Sequence, residues 1–191
     1  AKSLKLFSDL RKFSFRTMKA HERGLELVLI SLEMALELLS ALAVFEPAGL
    51  QVARRRCLDA GASTGGFTQV LLSQDASEVV AADVGYGQLH WSLQTDPRVR
   101  IVDRCNVRSL EREAIGGAVD LVVADLSFIS LTLVLPALLG VVEPNGDVVV
   151  MVKPQFEVGR ERVGSQGVVR DPEARAWAVA TVTECASGLG W

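Results

Sequence analysis

Short apolar runs, rich in β-branched residues, alternate with amphipathic stretches from about residue 56 to the end of the chain. The runs predict five strands, at 56–59, 78–84, 98–102, 119–125 and 147–153. The stretches between and after them predict helices at 66–73, 88–95, 129–142 and 172–187. Near-continuous apolar strands are buried on both faces, which favours a mostly parallel sheet covered by helices. The pattern therefore predicts an α/β, doubly wound fold.

A different pattern precedes these elements, because residues 24–45 are almost entirely apolar. Glu26, Glu33 and Glu37 interrupt this stretch at spacings that place them on one narrow face of a helix. The stretch is long enough for a membrane span, but three carboxylates within hydrocarbon would be costly. We therefore expect a helix that is buried on most sides, with an acidic stripe and no stable membrane insertion. Residues 46–50 (E-P-A-G-L) end it.

Charge is unevenly distributed along the 191 residues, whose net charge is −3. Residues 1–23 contain seven basic and two acidic residues, a local balance of +5. Such an arm can contact nucleic acid or an anionic membrane surface, and it can equally be a solvated tail. We divide the chain into residues 1–45, a basic arm with an apolar helix, and residues 46–191, the α/β domain.

Cysteine and histidine are too sparse to suggest a metal site or a disulfide framework. The three cysteines are widely separated, and neither of the two histidines has a cysteine or histidine at ligand spacing. We therefore expect no metal, and buried reduced thiols that fit a cytoplasmic compartment.

A loop of small residues follows the first of the five strands, in the string C-L-D-A-G-A-S-T-G-G-F-T at 57–68. Its glycines let a ligand lie against the backbone, and the helix that follows offers free N–H groups. No Lys-Ser or Lys-Thr follows the glycines, and their spacing is not that of a dinucleotide fingerprint. Asp59 would repel a pyrophosphate but would suit an ammonium group. This indicates S-adenosylmethionine, while a tight turn without a ligand remains the alternative.

Polar residues stand at the ends of four of the five predicted strands, where doubly wound sheets bind their ligands. They are Asp59, Asp83, Asp125 and Lys153. Asp83 can accept hydrogen bonds from ribose hydroxyls, and the amide of Asn106 can contact an adenine edge. Lys153 near Asp125 can act on an alcohol proton, or the two can form a salt bridge without chemistry.

Four strings resemble the TlyA group, proteins called hemolysins that are similar to FtsJ-type 2′-O-ribose methyltransferases. The strings are D-A-G-A-S-T-G-G-F-T, A-A-D-V-G-Y-G-Q-L, D-L-V-V-A-D-L-S-F-I-S-L and V-K-P-Q-F-E-V-G. The resemblance covers about residues 45–191 and implies a Rossmann-like methyltransferase fold with S-adenosylmethionine as methyl donor. It implies a cytidine ribose in ribosomal RNA, free or in ribosomal subunits, as the substrate in the cytoplasm.

The same resemblance implies the roles of individual residues. The cofactor-binding residues would be Asp59, Gly61, Ser63, Thr64, Gly65, Gly66, Phe67, Asp83, Asn106 and Asp125. The family catalyses with a Lys-Asp-Lys-Glu tetrad, whose second and third members match Asp125 and Lys153. Lys153 would deprotonate or polarise the 2′-hydroxyl, and Asp125 would orient Lys153 and favour its charged form.

The sequence departs from the family pattern at both ends. Glu37 stands where the resemblance places the first tetrad lysine. The closing glutamate belongs to a strand beyond the equivalent of Trp191, so we expect the last strands of the sheet to be missing. Residues 1–44 do not match the small RNA-binding domain that precedes the catalytic domain in the family. A cofactor-binding but catalytically impaired relative and, with less support, a membrane-active hemolysin are therefore the alternative functions.

Overall fold

A single parallel sheet organises the molecule in the computed structural model, which describes residues 3–8 and 23–191. Its six strands are β1 (Ser3–Ser8), β2 (Arg56–Ala60), β3 (Glu78–Ala82), β4 (Val99–Val102), β5 (Val119–Ala124) and β6 (Val142–Val152). Their order across the sheet is β1-β6-β5-β2-β3-β4, and every neighbouring pair is parallel. The predicted strands are thus confirmed, and β6 begins five residues earlier than expected.

Helices cover both faces of this sheet, as the predicted doubly wound fold requires. They are α1 (Arg23–Phe45), α2 (Gly66–Ser73), α3 (Trp91–Gln94), α4 (Arg112–Ile115), α5 (Leu131–Gly140), α6 (Pro154–Glu157) and α7 (Pro172–Gly188). The helix predicted at 88–95 shrinks to the four residues of α3, and α4 and α6 were not predicted. Both are single short turns, which give too few residues for a helical period to be recognised.

Alternation along the strands divides the core into two layers. In β2, Leu58 and Ala60 pack in the layer beneath α5 and α7, whereas Cys57 packs in the layer beneath α1 and α2. Because successive side chains of a strand point to opposite faces, Asp59 shares the face of Cys57 and lies towards α2. This alternation determines the face of the sheet on which each strand-end side chain lies.

The thiols differ in burial from one another. Cys57 is buried while Cys105 and Cys185 are only half-buried, and all three are free thiols. Burial, with the nearby charge of Asp120, raises the pKa of the Cys57 thiol to about 12. This thiol is therefore protonated and unreactive at neutral pH.

Helix α1 packs on α2 through one face, which carries Leu38, Ala41 and Leu42. The opposite face leaves Leu36 and Val44 exposed by 55% and 69%. The prediction of a helix buried on most sides is therefore wrong for the second half of α1, because a single neighbouring helix covers only one side. Within residues 23–191, the structure holds no helix with the length and apolarity needed to cross a membrane.

The strand at residues 3–8 was not predicted, since the sequence indicated only a basic arm there. It pairs in parallel with β6 from Ser3 opposite Asp147 to Ser8 opposite Val152. A sheet without its last strands would leave the apolar β6 at an edge, where an apolar helix or a further strand can cover it. The strand β1, and not α1, covers that edge.

An ion cluster fastens β1 to the sheet. The Lys5 ammonium lies 2.6 Å from Asp147 Oδ1, and the Arg55 guanidinium lies 2.6 Å from Asp147 Oδ2. Lys5 and Asp147 are both buried. Burial opposes ionisation of Asp147, but the hydrogen bonds and charges of Lys5 and Arg55 outweigh it and hold its pKa below the ordinary range. Ionised Asp147 therefore stabilises the fold above the ordinary aspartate pKa, and this contribution is lost as the pH falls.

Asp147→Ala should lower the free energy of unfolding by about 3 kcal/mol, because it leaves a buried ammonium without its carboxylate. Urea unfolding at pH 7 measures this loss. Asp96→Ala is the matched control, since Asp96 pairs with Arg98 at the surface; the loss there should be far smaller, because water screens an exposed ion pair. Equal losses in the two variants would contradict the role we give to the cluster around Asp147.

Candidate functional site at the carboxyl edge of the sheet

The polar residues at the strand ends meet at the point where the chain reverses its direction across the sheet. From β2 the chain proceeds through β3 to β4, and it then returns to place β5 on the other side of β2. The loops after β2 and β5 therefore lead away from each other and leave a crevice, as is usual at such a switch point.

The loop after β2 approaches the end of β5 so closely that a side chain would not fit. Gly61 has φ +87°, and a Cβ there would lie 2.7 Å from the carbonyl oxygen of Asp125. Gly65, with φ +101°, precedes α2, and a Cβ there would clash with the side chains of Leu89 and Leu93. Both positions need glycine for their conformation and for space.

Asp83, directly after β3, organises two loops through both of its carboxylate oxygens. The backbone N–H of Ser63 donates to Oδ2 at 2.9 Å, and that of Gly85 donates to Oδ1 at 2.7 Å. The N–H of Cys105 donates to the Asp83 carbonyl at 2.8 Å, which ties the loop after β4 to the same point. Asp83 is half-buried, so its remaining lone pairs can accept bonds from a ligand.

Asp59 is fully buried near the end of β2. The Thr68 hydroxyl, from the first turn of α2, donates to its Oδ2 at 2.7 Å. Among the described residues, no donor reaches its Oδ1. Burial raises the pKa of Asp59 to about 7, the Thr68 hydrogen bonds oppose the shift, and the carboxylates of Asp125 and Asp83 add to it. A cationic group at Oδ1 would therefore meet an acceptor that lacks a partner.

Lys153 and Asp125 form an ion pair between the ends of the adjacent strands β6 and β5. Their side chains are only 4% and 6% exposed. The Lys153 ammonium also donates to the hydroxyl of Ser127 at 3.0 Å. The structure thus confirms the predicted proximity of these two residues, and it adds Ser127 to the pair.

An aromatic pair lies beside this ion pair. Phe128, with φ +64°, exposes 91% of its surface, and its ring centroid lies 5.3 Å from that of Phe156 on α6. Exposed rings stack well on nucleic acid bases. Neither phenylalanine was among the predicted site residues, although each follows a predicted one by three positions.

The other predicted site residues lie at the same edge with different surroundings. The Thr64 carbonyl accepts from the N–H of His90 at 3.0 Å. Gly66 and Phe67 are buried in α2, and the ring of Phe67 packs in the core. Phe67 can therefore offer a ligand only its backbone. Asn106 is exposed, and its side chain accepts from the N–H of Arg108 at 3.1 Å, which caps a short 3-10 turn.

Thr68 was also missed, although it stands in the string that led to the site. A threonine in the first turn of a helix usually packs or caps, and nothing in the local pattern connects its hydroxyl to Asp59. Among the residues that the structure describes, no three His, Cys, Asp or Glu side chains lie together in a way that could hold a metal ion.

Known proteins of similar sequence include methyltransferases, which bind their cofactor at this edge of the sheet. The family of FtsJ-like methyltransferases matches residues 36–191, so the match begins inside α1 and not after it. The 16S/23S rRNA (cytidine-2′-O)-methyltransferase TlyA of Mycobacterium tuberculosis is 61% identical over 155 residues, which cover 81% of this chain. This chain spans 57% of the length of that relative, somewhat more than half.

Two further relatives match this chain over a larger share of their own length. The 23S rRNA (cytidine-2′-O)-methyltransferase TlyA of Campylobacter jejuni is 31% identical over 201 aligned residues, with coverage of 100% of this chain and 78% of the relative. The crystal structure of a putative hemolysin from Lactococcus lactis is 41% identical, with a TM-score of 0.77. That similarity covers 82% of this chain and 74% of the other. The fold, the matched family and these relatives agree: the chain belongs to the FtsJ-like methyltransferases.

Proposed function

We propose that this chain transfers a methyl group from S-adenosylmethionine to the 2′-hydroxyl of a cytidine ribose in ribosomal RNA. The observation that carries the proposal is the buried Lys153–Asp125 pair, which lies beside a glycine loop and an exposed aromatic ring. Relatives that are named as rRNA cytidine-2′-O-methyltransferases support the choice of substrate. Ribosomes lie in the cytoplasm, which is where we place the activity.

The residues of the crevice suit S-adenosylmethionine. Asp59 Oδ1, which lacks a donor among the described residues, would accept from the ammonium of the methionine end. Asp83 would accept from the ribose hydroxyls, and the Gly61 loop offers a surface without side chains. We propose that Ser63, Thr64, Gly65, Gly66, Phe67 and Asn106 line the remainder, with Phe67 contributing only its backbone. When bound, this cofactor supplies a methyl group on a positively charged sulfur.

Lys153 is the residue that we assign to the reacting oxygen. An ammonium has three N–H donors; in the described structure Lys153 donates one to the Ser127 hydroxyl and forms an ion pair with Asp125. The third can donate to the 2′-oxygen and stabilise the negative charge on it. The O–CH3 bond would form as the S–CH3 bond breaks, S-adenosylhomocysteine would leave, and the hydroxyl proton would pass to water. Asp125 holds the ammonium in place, and the low exposure of the pair strengthens both interactions. Catalysis is then mainly positioning and electrostatic stabilisation.

Phe128 supports an RNA substrate more than a small alcohol. Recognition of single-stranded RNA commonly uses exposed rings on which a base stacks. Phe128 directly follows Ser127, which accepts from the Lys153 ammonium, so we propose that a base on the ring places its own ribose near Lys153. Residues 46–191 contain every residue to which we assign a role.

One observation favours a second candidate, a relative that binds the cofactor but turns over poorly. Glu37 stands where the family resemblance places the first tetrad lysine, and it lies half-buried on α1. A carboxylate cannot donate to an alcohol oxygen as an ammonium does. The two candidates share the cofactor site and differ only in the chemical step.

Asp83→Ala should weaken binding of S-adenosylhomocysteine by about tenfold or more, because hydrogen bonds to a charged acceptor contribute about 1.5–3 kcal/mol. Isothermal titration calorimetry of the 191-residue chain measures the dissociation constant. Asp103→Ala is the control, since Asp103 accepts from the Gly87 N–H at the same edge of the sheet but has no assigned ligand role. Unchanged affinity in Asp83→Ala would contradict our placement of the ribose.

Cofactor affinity should rise with pH between about 5.5 and 7.5, because an ammonium prefers ionised Asp59, whose pKa is about 7. Folded Asp59 keeps its proton above the ordinary value of 3.8, so the ligand-free chain should become less stable as the pH rises from 3.8 to about 7. Calorimetric titration and thermal unfolding across this range measure the two slopes.

Asp59→Asn should abolish both pH dependences. 5′-Methylthioadenosine, which lacks the ammonium, should bind with the same affinity throughout the range. A pH slope that persists in Asp59→Asn would assign the titration to another group and contradict our interpretation.

Lys153→Ala should reduce methyl transfer at least about a hundredfold, the usual loss when a stabilising donor is removed from a transition state. Transfer of a tritiated methyl group to isolated ribosomal subunits measures the rate, and cofactor affinity should change little. Ser127→Ala, which keeps the ammonium, should lose far less. Glu37→Lys, measured in the same assay, separates the two candidates. A faster methyl transfer than in the unaltered chain would favour the second candidate, the catalytically impaired relative. If the unaltered chain transfers methyl groups and Glu37→Lys is no faster, the second candidate is wrong.

A further inference from the structure

Two segments at the carboxyl edge are joined along their whole length. Residues 125–131 follow β5, and residues 153–157 follow β6. From one end to the other, the contacts are Asp125 and Ser127 with Lys153, Phe128 with Phe156, and Ser130 and Leu131 with Glu157. The order of contacts is the same in both segments, so the two lie side by side in register.

Glu157 makes the last of these contacts and joins the far ends of the two segments. The Ser130 hydroxyl donates to Glu157 Oε2 at 2.6 Å, and the Leu131 N–H donates to Glu157 Oε1 at 2.8 Å. Leu131 is the first residue of α5, so its N–H has no partner within the helix. A carboxylate at this position also interacts favourably with the helix dipole. Glu157 therefore uses both oxygens to fasten the start of α5 to α6.

The contact with Glu157 matters because the backbone is strained in the middle of residues 125–131. Phe128 adopts φ +64°, a left-handed conformation that is unfavourable for a residue other than glycine. Such a conformation persists only where the surrounding structure holds it. Lys153 holds one end of the loop through Asp125, and Glu157 holds the other end. Release of either end would let Phe128 relax and would change where its ring lies relative to the ammonium.

We infer that Glu157 is a positioning residue for the RNA substrate: by bridging α5 and α6 it keeps the ring of Phe128 and the ammonium of Lys153 in one fixed arrangement. The inference rests on the proposed function, since it concerns how that substrate is presented to Lys153. Glu157 acts through its neighbours and has no role in binding the cofactor.

Glu157→Ala should reduce kcat for methylation of ribosomal subunits by about tenfold to a hundredfold, the loss expected when a remote change misplaces a reacting group. Affinity for S-adenosylhomocysteine should stay within about twofold. Glu157→Gln should recover most of the rate, because its amide can accept from the Leu131 N–H and donate to the Ser130 hydroxyl. Glu161→Ala removes an exposed carboxylate four residues further along and should leave the rate unchanged.

A double-mutant cycle with Phe128→Leu tests whether Glu157 acts through the ring. If it does, Glu157→Ala should cost much less rate in the Phe128→Leu background than in the wild type. Additive losses, a wild-type rate in Glu157→Ala, or a parallel loss of cofactor affinity would each overturn the inference.

Hydrogen exchange at the Leu131 amide tests the bridge made by Glu157 without relying on methyl transfer. The Leu131 amide should lose protection in Glu157→Ala and retain it in Glu157→Gln, whatever the activity of the chain. If the wild-type chain binds cofactor but methylates no ribosomal subunit, the proposed function is wrong, and the inference, which rests on it, fails as well. If the chain methylates but Leu131 protection is the same in all variants, the inference alone is overturned.

Discussion

The ion pair between Lys153 and Asp125 is the interaction on which the functional edge depends. It joins the ends of two adjacent parallel strands, so the sheet itself sets the separation of the two side chains. A buried ammonium without a carboxylate would be costly, and a buried carboxylate without an ammonium equally so. Each residue therefore stabilises the position of the other. The same pair anchors the loop that presents Phe128.

Three carboxylates lie in and around this pair, and a different set of partners stabilises each of them. Asp125 has the ammonium, and Asp83 has two backbone N–H donors. Among the described residues, Thr68 donates to Asp59 and no donor reaches its Oδ1, and burial raises the pKa of this carboxyl. The site is therefore least satisfied where a positively charged ligand would be most favourable. Such local instability is common at functional sites.

Strand β6 and the residue that follows it carry two ion clusters with different consequences. In the middle of the strand, Asp147 binds Lys5 and Arg55 and fastens the edge strand β1. Just beyond its carboxyl end, Lys153 contacts Asp125 and Ser127. The first cluster joins strands of the sheet, and it contributes to stability. The second lies where the strand-end loops meet, and it is the one to which we assign an action on the substrate.

Much of this arrangement can be read from the amino acids in order. Apolar runs predicted the five central strands, and the spacing of Asp59, Asp83, Asp125 and Lys153 placed them at strand ends, where a parallel sheet brings them together. These features are local, or they follow from a rule that holds for all such sheets. The family resemblance added the expected roles of the individual residues.

Other features depend on contacts between different elements of the fold. Thr68 is joined to Asp59, Glu157 to Leu131, and Lys5 to Asp147, and no local period announces any of these pairs. Strand β1 is short and lies in a basic stretch, so its place beside β6 depends on a partner carboxylate 142 positions away. A hydrogen bond or ion pair needs only two groups at the right distance, and that distance exists only once the sheet has assembled.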